Sequence, residues 1–180
     1  MEVTNANTIF FVEEDMSKDM TVPIDDGYIN IRVGAIIMKD GRFLMVGNEK
    51  ADYLYSVGGR IKFGETAEAA IIREVYEETG VKMEIDRLGF IHENYFIADS
   101  PEKLGKLIYE ISFFFYMKAP KDFEPVCNSF TEDNCLEYLT WVSPDTNKTI
   151  YPTFFKTELS TPTVEVKHIV TDQRLSSTDR

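Results

Sequence analysis

The chain has 180 residues, 43% of them hydrophobic and 28% charged, which is the composition of one globular domain with a buried core. Its 19 basic and 31 acidic side chains give a formal net charge of −12, which disfavours broad nucleic-acid binding. Apolar runs such as 113–117 are far shorter than the roughly 18 residues of a membrane-spanning helix. The first 20 residues lack a basic n-region, and the two cysteines, Cys127 and Cys135, cannot form a disulfide framework. We therefore expect a cytoplasmic protein with reduced thiols.

Most of the chain is predicted to form short β-strands. Apolar, β-branched and aromatic runs indicate strands at Thr8–Val12, Tyr28–Met38, Phe43–Val46, Tyr53–Ser56, Met83–Ile97, Leu107–Met117, Tyr138–Val142 and Val164–Val170. The Asp40-Gly41 pair predicts a hairpin between the second and third of these strands. The acidic stretch Glu13–Asp26, which contains Pro23, is predicted to be a loop, and residues 173–180 are expected to fray.

Two helices are predicted, and the first has the clearer signal. It covers Thr66–Thr79, with Thr66 as its N-cap and Gly80 as a left-handed stop. Its apolar stripe consists of Ile71, Ile72, Val75 and Thr79. This stripe predicts that the helix packs on a sheet. A second, short helix is predicted from Pro152 to Leu159 because proline suits the first turn of a helix.

Three acidic residues near the end of the first helix form an unfavourable charge arrangement. Glu74, Glu77 and Glu78 lie within about 100° of the helix circumference. Like charges repel at this spacing, and the helix dipole disfavours acids in the last turn. Arg73 can neutralise only part of this charge. A divalent cation would neutralise the rest, since hard cations bind carboxylate oxygens; the alternative is a solvated acidic face.

The loop before the helix favours the cation. Residues 58–65 read Gly-Gly-Arg-Ile-Lys-Phe-Gly-Glu, and glycines allow the backbone to approach a ligand closely. Residues 59–81 resemble the Nudix box, whose pattern is Gly, five residues, Glu, seven residues and Arg-Glu-U-x-Glu-Glu-x-Gly-U, where U is a bulky aliphatic residue. Gly59, Glu65 and the run Arg73–Val81 meet every fixed position. Many members have proline before the paired glycines, where this chain has Val57.

The resemblance implies an α+β fold, the Nudix-type α/β/α sandwich with a curved mixed β-sheet. We expect the Nudix domain at 28–172, after an N-terminal strand and acidic loop at 1–27 and before a tail at 173–180. Residues 1–27 are expected to extend the domain or to mediate formation of a homodimer.

The resemblance also implies a metal-dependent hydrolase. Most members of the family cleave a diphosphate linked to another group, using more than one Mg²⁺ or Mn²⁺ ion. The expected substrate is a small molecule, a nucleoside diphosphate linked to another moiety, such as ADP-ribose or a nucleotide sugar. The alternative is a non-catalytic domain that senses nucleotides or binds a partner. Such domains typically lose acids of the box, whereas this chain keeps them all.

The resemblance assigns the metal ligands as follows. The carboxylates of Glu74, Glu77 and Glu78 face the metals, and the backbone carbonyl of Gly59, or that of Gly58, completes the ligand set. Glu74 serves as a ligand, as the base that activates water, or as both. These assignments agree with the chemistry, because metal ions neutralise a diphosphate and lower the pKa of a bound water.

Two other residues of the box are expected to support these ligands. By resemblance, Arg73 orients the catalytic glutamates. Glu65 either supports Arg73 or reaches a metal ion through water.

Outside the box, many members use a further carboxylate as base or ligand. The candidates in this chain are Glu93, Glu110, Glu132 and Glu137. We favour Glu110, because an inward acid on a predicted strand would need a partner. A solvent-facing position on the strand is the alternative.

Substrate contacts outside the box are predicted from side-chain type. Arg32 and Arg60 can hold a phosphate group. The aromatic residues that can stack on a nucleobase are Tyr53, Tyr55, Tyr95 and Phe96, and packing is the alternative role for each of them. His92 and His168 are isolated in the sequence and are expected to have structural or surface roles.

Overall fold

The computed structural model describes residues 18–125 and 136–174. These residues form the strands β1 (Thr21–Ile24), β2 (Gly27–Lys39), β3 (Arg42–Asn48), β4 (Tyr53–Tyr55), β5 (Glu84–Ile97), β6 (Leu107–Lys118), β7 (Glu137–Val142), β8 (Thr149–Tyr151) and β9 (Lys167–Asp172), and the helices α1 (Ala67–Thr79) and α2 (Phe155–Glu158). The strand predicted at 8–12, the two cysteines and Glu132 lie outside the described residues.

The described strands form one mixed, curled sheet in the order β8-β4-β3-β2-β6-β5-β9, with β1 pairing with β2 and β7 with β3. The pairs β2–β6, β4–β8 and β5–β9 are parallel, and the others are antiparallel. The long strands β2, β5 and β6 lie side by side and form the centre of the sheet.

The two helices cover opposite faces of this sheet. Val33 and Ala35 of β2 belong to a core cluster with Ile71 and Val75 of α1. Ile36, on the opposite face of β2, belongs to a second cluster that includes Phe155 of α2. The molecule therefore has the three layers of an α/β/α sandwich, as the resemblance implied.

The first helix agrees closely with its prediction. It spans Ala67–Thr79, the side chain of Thr66 accepts a hydrogen bond from the Ala69 N–H, and Gly80 is left-handed with φ 70°. Its buried stripe differs at one position, because Ala70 is buried whereas Ile72 is 41% exposed. The small Ala70 allows α1 to approach the sheet closely, and this rotates Ile72 towards solvent.

Several element boundaries correct the sequence predictions. Thr21–Ile24 was predicted to lie in a loop, but it forms β1 because Asp25 and Asp26 make a two-residue turn that pairs it with β2. The short strand β8 was not predicted at all. The second helix begins at Phe155 rather than at Pro152, and β9 begins at Lys167 rather than at Val164. Within the described residues, no helix is long and apolar enough to cross a membrane.

Candidate active site

The paired glycines carry the chain from β4 to α1 directly against β2. The N–H of Val33 donates to the Gly59 carbonyl at 2.9 Å, and the N–H of Ala35 donates to the Val57 carbonyl at 2.8 Å. Gly58 has φ 134°, and a Cβ atom there would overlap the Val33 carbonyl. Only glycine therefore permits this crossing.

Arg73 connects the helix to the loop. Its guanidinium donates to both carboxylate oxygens of Glu65, at 2.9 and 2.8 Å, and to the Arg60 carbonyl at 3.2 Å. One of its nitrogens, Nη1, also donates to Glu74 at 2.7 Å and to Glu77 at 3.1 Å. These bonds lower the pKa of Glu65 and raise that of Arg73. Arg73 is therefore placed to orient the glutamates of the box.

Glu78 and Glu74 are half-buried acids on the helix, and one oxygen of Glu78 is fully buried. Oε1 of Glu78 accepts from the Gly58 N–H at 2.9 Å, whereas its buried Oε2 has no hydrogen-bond partner in the parts of the chain that the structure describes. Burial raises the pKa of Glu78 to about 8, and the charges of Glu74 and Glu137 add to this increase. Burial also raises the pKa of Glu74, because it outweighs the opposing effect of Arg73. Glu77 is 53% exposed.

The arrangement fits a divalent cation in two respects. The unpartnered Oε2 of Glu78 is a buried oxygen that a cation would satisfy. A Cβ atom on Gly59 would overlap the carboxylate of Glu74, so the backbone of the loop lies directly against that acid. All donors here are oxygen atoms, which suit Mg²⁺ and Mn²⁺. Among the described residues, no three side chains converge as a preassembled metal group, because Arg73 and Gly58 engage the carboxylates.

The two glycine carbonyls differ in their contacts. The Gly59 carbonyl accepts the short bond from Val33, whereas the Gly58 carbonyl is 3.5 Å from Nη2 of Arg32. A carbonyl oxygen has two lone pairs, so either could bind a cation, but that of Gly58 is less engaged.

A pocket of about 150 Å³ opens next to this loop, on the face of the sheet that α2 covers. Its walls include Arg32, Tyr55, Asn94, Glu110, Ser112 and Tyr151. Arg32 joins the pocket to the box, since its Nε is 3.7 Å from Glu110 while its Nη2 approaches the Gly58 carbonyl.

Three of the four carboxylates predicted outside the box lie among the described residues, and their positions differ. Glu110 lies in the pocket beside Arg32. Glu137 accepts a hydrogen bond from the Tyr55 hydroxyl, and its charge contributes to the raised pKa of Glu78. Glu93 lies on the other face of the sheet and accepts hydrogen bonds from Tyr109, at 2.6 Å, and from His168, at 2.7 Å.

The other predicted substrate contacts are dispersed. Arg60 is 3.5 Å from Asp19. Tyr95 follows Asn94 along β5 and therefore points to the face opposite the pocket, where it stacks on Tyr109 at 4.4 Å. The structure thus does not bring Tyr95 to the pocket, because strand alternation turns it away.

Sequence reasoning overlooked several residues of the pocket. These are Asn94, Ser112, Tyr151 and Thr171. Ser112 has a detectable signal, since it is a polar residue directly before the apolar run 113–117 of β6. Asn94 follows the polar residues His92 and Glu93 and does not stand out. The other two have no such signal, because short strands bring them in from the C-terminal part of the chain.

Comparisons with known proteins agree with this geometry. A model of the NUDIX domain matches residues 29–158. A MutT-like protein of Streptomyces ambofaciens is 34% identical over 61 residues, which are 34% of this chain and only 40% of that protein.

Two solved structures share the fold. A MutT NUDIX hydrolase from Burkholderia pseudomallei has 23% identity and a TM-score of 0.56, and the match covers 74% of this chain and 98% of that one. An ADP-ribose pyrophosphatase from Streptococcus suis has 16% identity and a TM-score of 0.52, with 77% and 98% covered. The chain therefore belongs to the Nudix family.

Proposed function

We propose that this protein hydrolyses the diphosphate linkage of a nucleoside diphosphate joined to a second moiety, such as ADP-ribose or a nucleotide sugar. The observation that carries the proposal is the contact of the glycine loop with the half-buried acids Glu74 and Glu78 beside an open pocket. The name of the Streptococcus relative agrees with this class of substrate.

In this proposal Glu74, Glu77 and Glu78 hold Mg²⁺ or Mn²⁺ together with a glycine carbonyl, that of Gly59 or the less engaged one of Gly58. Bound divalent ions neutralise diphosphate oxygens and lower the pKa of water. The burial of Glu78 favours its role as a metal ligand. A buried carboxylate is costly to ionise without a partner, so a nearby cation stabilises its charged form most strongly.

The water must also lose a proton to a carboxylate. Glu74 belongs to the box, and its raised pKa brings it closer to that of an effective general base. Outside the box, Glu110 was favoured from the sequence, but it is the charge of Glu137 that contributes to the raised pKa of Glu78. We therefore propose Glu74 or Glu137 as the base.

Arg32 is the side chain best placed to hold a phosphate group, because it lies between the box and the pocket. Arg60 stays a candidate for this role. A cytoplasmic location and a homodimer also stay predictions.

Phosphate accounting on the purified protein tests this function. The panel contains ADP-ribose, UDP- and GDP-sugars, NADH, dinucleoside polyphosphates and nucleoside triphosphates, each with Mg²⁺ or Mn²⁺. We expect metal-dependent release of two phosphorylated products, and a loss of about 100-fold or more in Glu77→Gln. Glu68→Gln is the matched control, since Glu68 is an exposed acid on the same helix.

Absence of turnover with every substrate and both metals would contradict the proposal. Metal-dependent binding of a nucleotide without turnover would instead support the alternative, a domain that senses nucleotides or binds a partner.

A further inference from the structure

The floor of the pocket is a polar strip in the middle of the sheet. Asn30 of β2 pairs with Glu110 of β6, which pairs with Asn94 of β5, so these side chains form one row on the same face. In the next row Arg32 of β2 pairs with Ser112 of β6. The two rows place charged and amide groups beside the apolar cluster that includes Ile36 and Phe114 on the same face.

The row containing Glu110 holds acceptor oxygens that lack close hydrogen-bond donors among the described residues. The carboxylate is 16% exposed, and its contacts within 18–125 and 136–174 are long, 3.5 Å from Oγ of Ser112 and 3.7 Å from Nε of Arg32. Oδ1 of Asn30 and Oδ1 of Asn94 are buried and accept no hydrogen bond from the residues described. Of these oxygens, those of Glu110 and Asn94 line the pocket, next to the guanidinium of Arg32. Arg32 can bind a phosphate group at its end of the strip, whereas the acceptor oxygens of Glu110 and Asn94 suit an uncharged group that donates hydrogen bonds.

Arg32 limits the distance between the diphosphate of a bound ligand and the ligand group that donates hydrogen bonds to Glu110. Its guanidinium approaches the Gly58 carbonyl of the box at one end and Glu110 at the other. The group that contacts Glu110 is therefore the one bonded next to the diphosphate. In the substrates proposed above this group is a sugar ring, whereas a nucleobase lies one ring further away.

We propose that Glu110 accepts hydrogen bonds from adjacent hydroxyl groups of the sugar joined directly to the diphosphate. This assignment rests on the proposed function and makes Glu110 a specificity-determining residue. A carboxylate has two oxygens, so it can accept from two neighbouring hydroxyls at once. Asn94 lies beside it in the row and can contact a further hydroxyl.

Binding of sugar phosphates tests the proposal without requiring turnover. Ribose 5-phosphate and 2-deoxyribose 5-phosphate, which differ by one hydroxyl, are titrated by NMR into the full chain with Mg²⁺. We expect the wild type to prefer the ribose compound by about tenfold, the effect of one hydrogen bond to a charged group. This preference should fall below about threefold in Glu110→Gln, which removes the charge. It should fall equally in Glu110→Asp, which keeps the charge but has a shorter side chain that holds the carboxylate farther from the sugar.

Glu93→Gln is the matched control, because Glu93 lies one residue before Asn94 on the opposite face of the sheet. It should keep the preference of the wild type. Equal binding of both compounds by the wild type, or no binding of ribose 5-phosphate, would overturn the proposal. An unchanged preference in Glu110→Gln would also overturn it. If that variant also loses turnover, Glu110 would act as the general base and not as a sugar contact. If the preference is found but no diphosphate is cleaved, the proposed function fails and this assignment stands.

Discussion

At the scale of single residues, two contacts hold the candidate site together. Arg73 is shared among three carboxylates and one backbone carbonyl, and the backbone of Gly59 lies directly against Glu74. The contacts of Arg73 hold the three carboxylates near one another, and the contact of Gly59 with Glu74 leaves no space for a side chain at position 59. Each can be tested by a conservative substitution.

Replacing Arg73 by lysine should destabilise the fold. A lysine ammonium keeps the charge but cannot make the bidentate bond to Glu65 while also reaching Glu74. We expect the free energy of unfolding in urea to fall by about 2–4 kcal/mol. The exposed Arg42→Lys should change it by less than about 0.5 kcal/mol. Equal effects of the two variants would show that the Arg73 contacts contribute little.

Gly59→Ala and Gly58→Ala should separate activity from folding. At Gly59 the added Cβ displaces the flexible end of Glu74, so we expect about a 100-fold loss of kcat/KM with little loss of stability. At Gly58 it meets the backbone of Val33 at a positive φ, which should cost about 3 kcal/mol or more. Steady-state kinetics and urea unfolding measure the two effects. Full activity in Gly59→Ala would contradict the placement of Glu74.

At the scale of elements, α1 has strong local signals at both ends and unfavourable charges in its last turn. The Thr66 cap and the left-handed Gly80 satisfy backbone groups that the helix leaves unpaired. No basic residue lies in the last turn to offset Glu77 and Glu78. The caps therefore help to hold a helix whose last-turn carboxylates oppose its stability.

The cap can be tested independently of the site. Thr66→Ala removes the oxygen that accepts from the Ala69 N–H, and we expect the free energy of unfolding to fall by about 1 kcal/mol. Thr66→Ser keeps that oxygen and should retain most of the stability. If both variants lose the same amount in urea unfolding, the hydrogen bond is not the cause.

The buried imidazole of His92, on β5, should make the free energy of unfolding depend on pH. His92 is 5% exposed and its Nε2 is 2.9 Å from Oγ1 of Thr171. Burial lowers its pKa to about 4, so between pH 6.5 and 4 the unfolded chain binds more protons than the folded one. The free energy of unfolding should therefore fall as the pH falls through this range, by up to about 3 kcal/mol.

Urea unfolding between pH 4 and 7 measures this dependence. His92→Gln should flatten the slope relative to the wild type, because glutamine does not titrate. The control His168→Gln alters an imidazole that is 57% exposed and should keep the slope. A slope that is unchanged in His92→Gln would show that other groups cause it.

At the scale of the whole molecule, the three layers bring distant parts of the chain to one site. Tyr55 and Glu137 are 82 residues apart in sequence, yet strand pairing with β3 places the hydroxyl of one on the carboxylate of the other. The open pocket likewise lies where the central strands meet the short strand β8.

The sequence could predict the features that depend on neighbouring residues, but not those that depend on contacts between distant parts of the chain. The helix and its glutamates depend on periodicity, caps and fixed spacing within 23 residues, all of which are local. The strand β1 and the strand β8 are short and owe their hydrogen bonds to partners, so propensity alone did not reveal them. The alternation of β5 predicts that Asn94 and Tyr95 face opposite sides. It cannot predict which side has the pocket, since that depends on where α2 packs.

Binding of Mn²⁺ to the substrate-free protein, measured by EPR, tests the central claim that the acids of the box hold divalent cations. We expect Glu78→Gln to bind Mn²⁺ at least about tenfold more weakly than the wild type, because it removes the negative charge and replaces one of the two carboxylate oxygens by an NH2 group. Glu68→Gln should bind like the wild type, since that acid is exposed in the first turn of the same helix. The same affinity in all three proteins would contradict the claim.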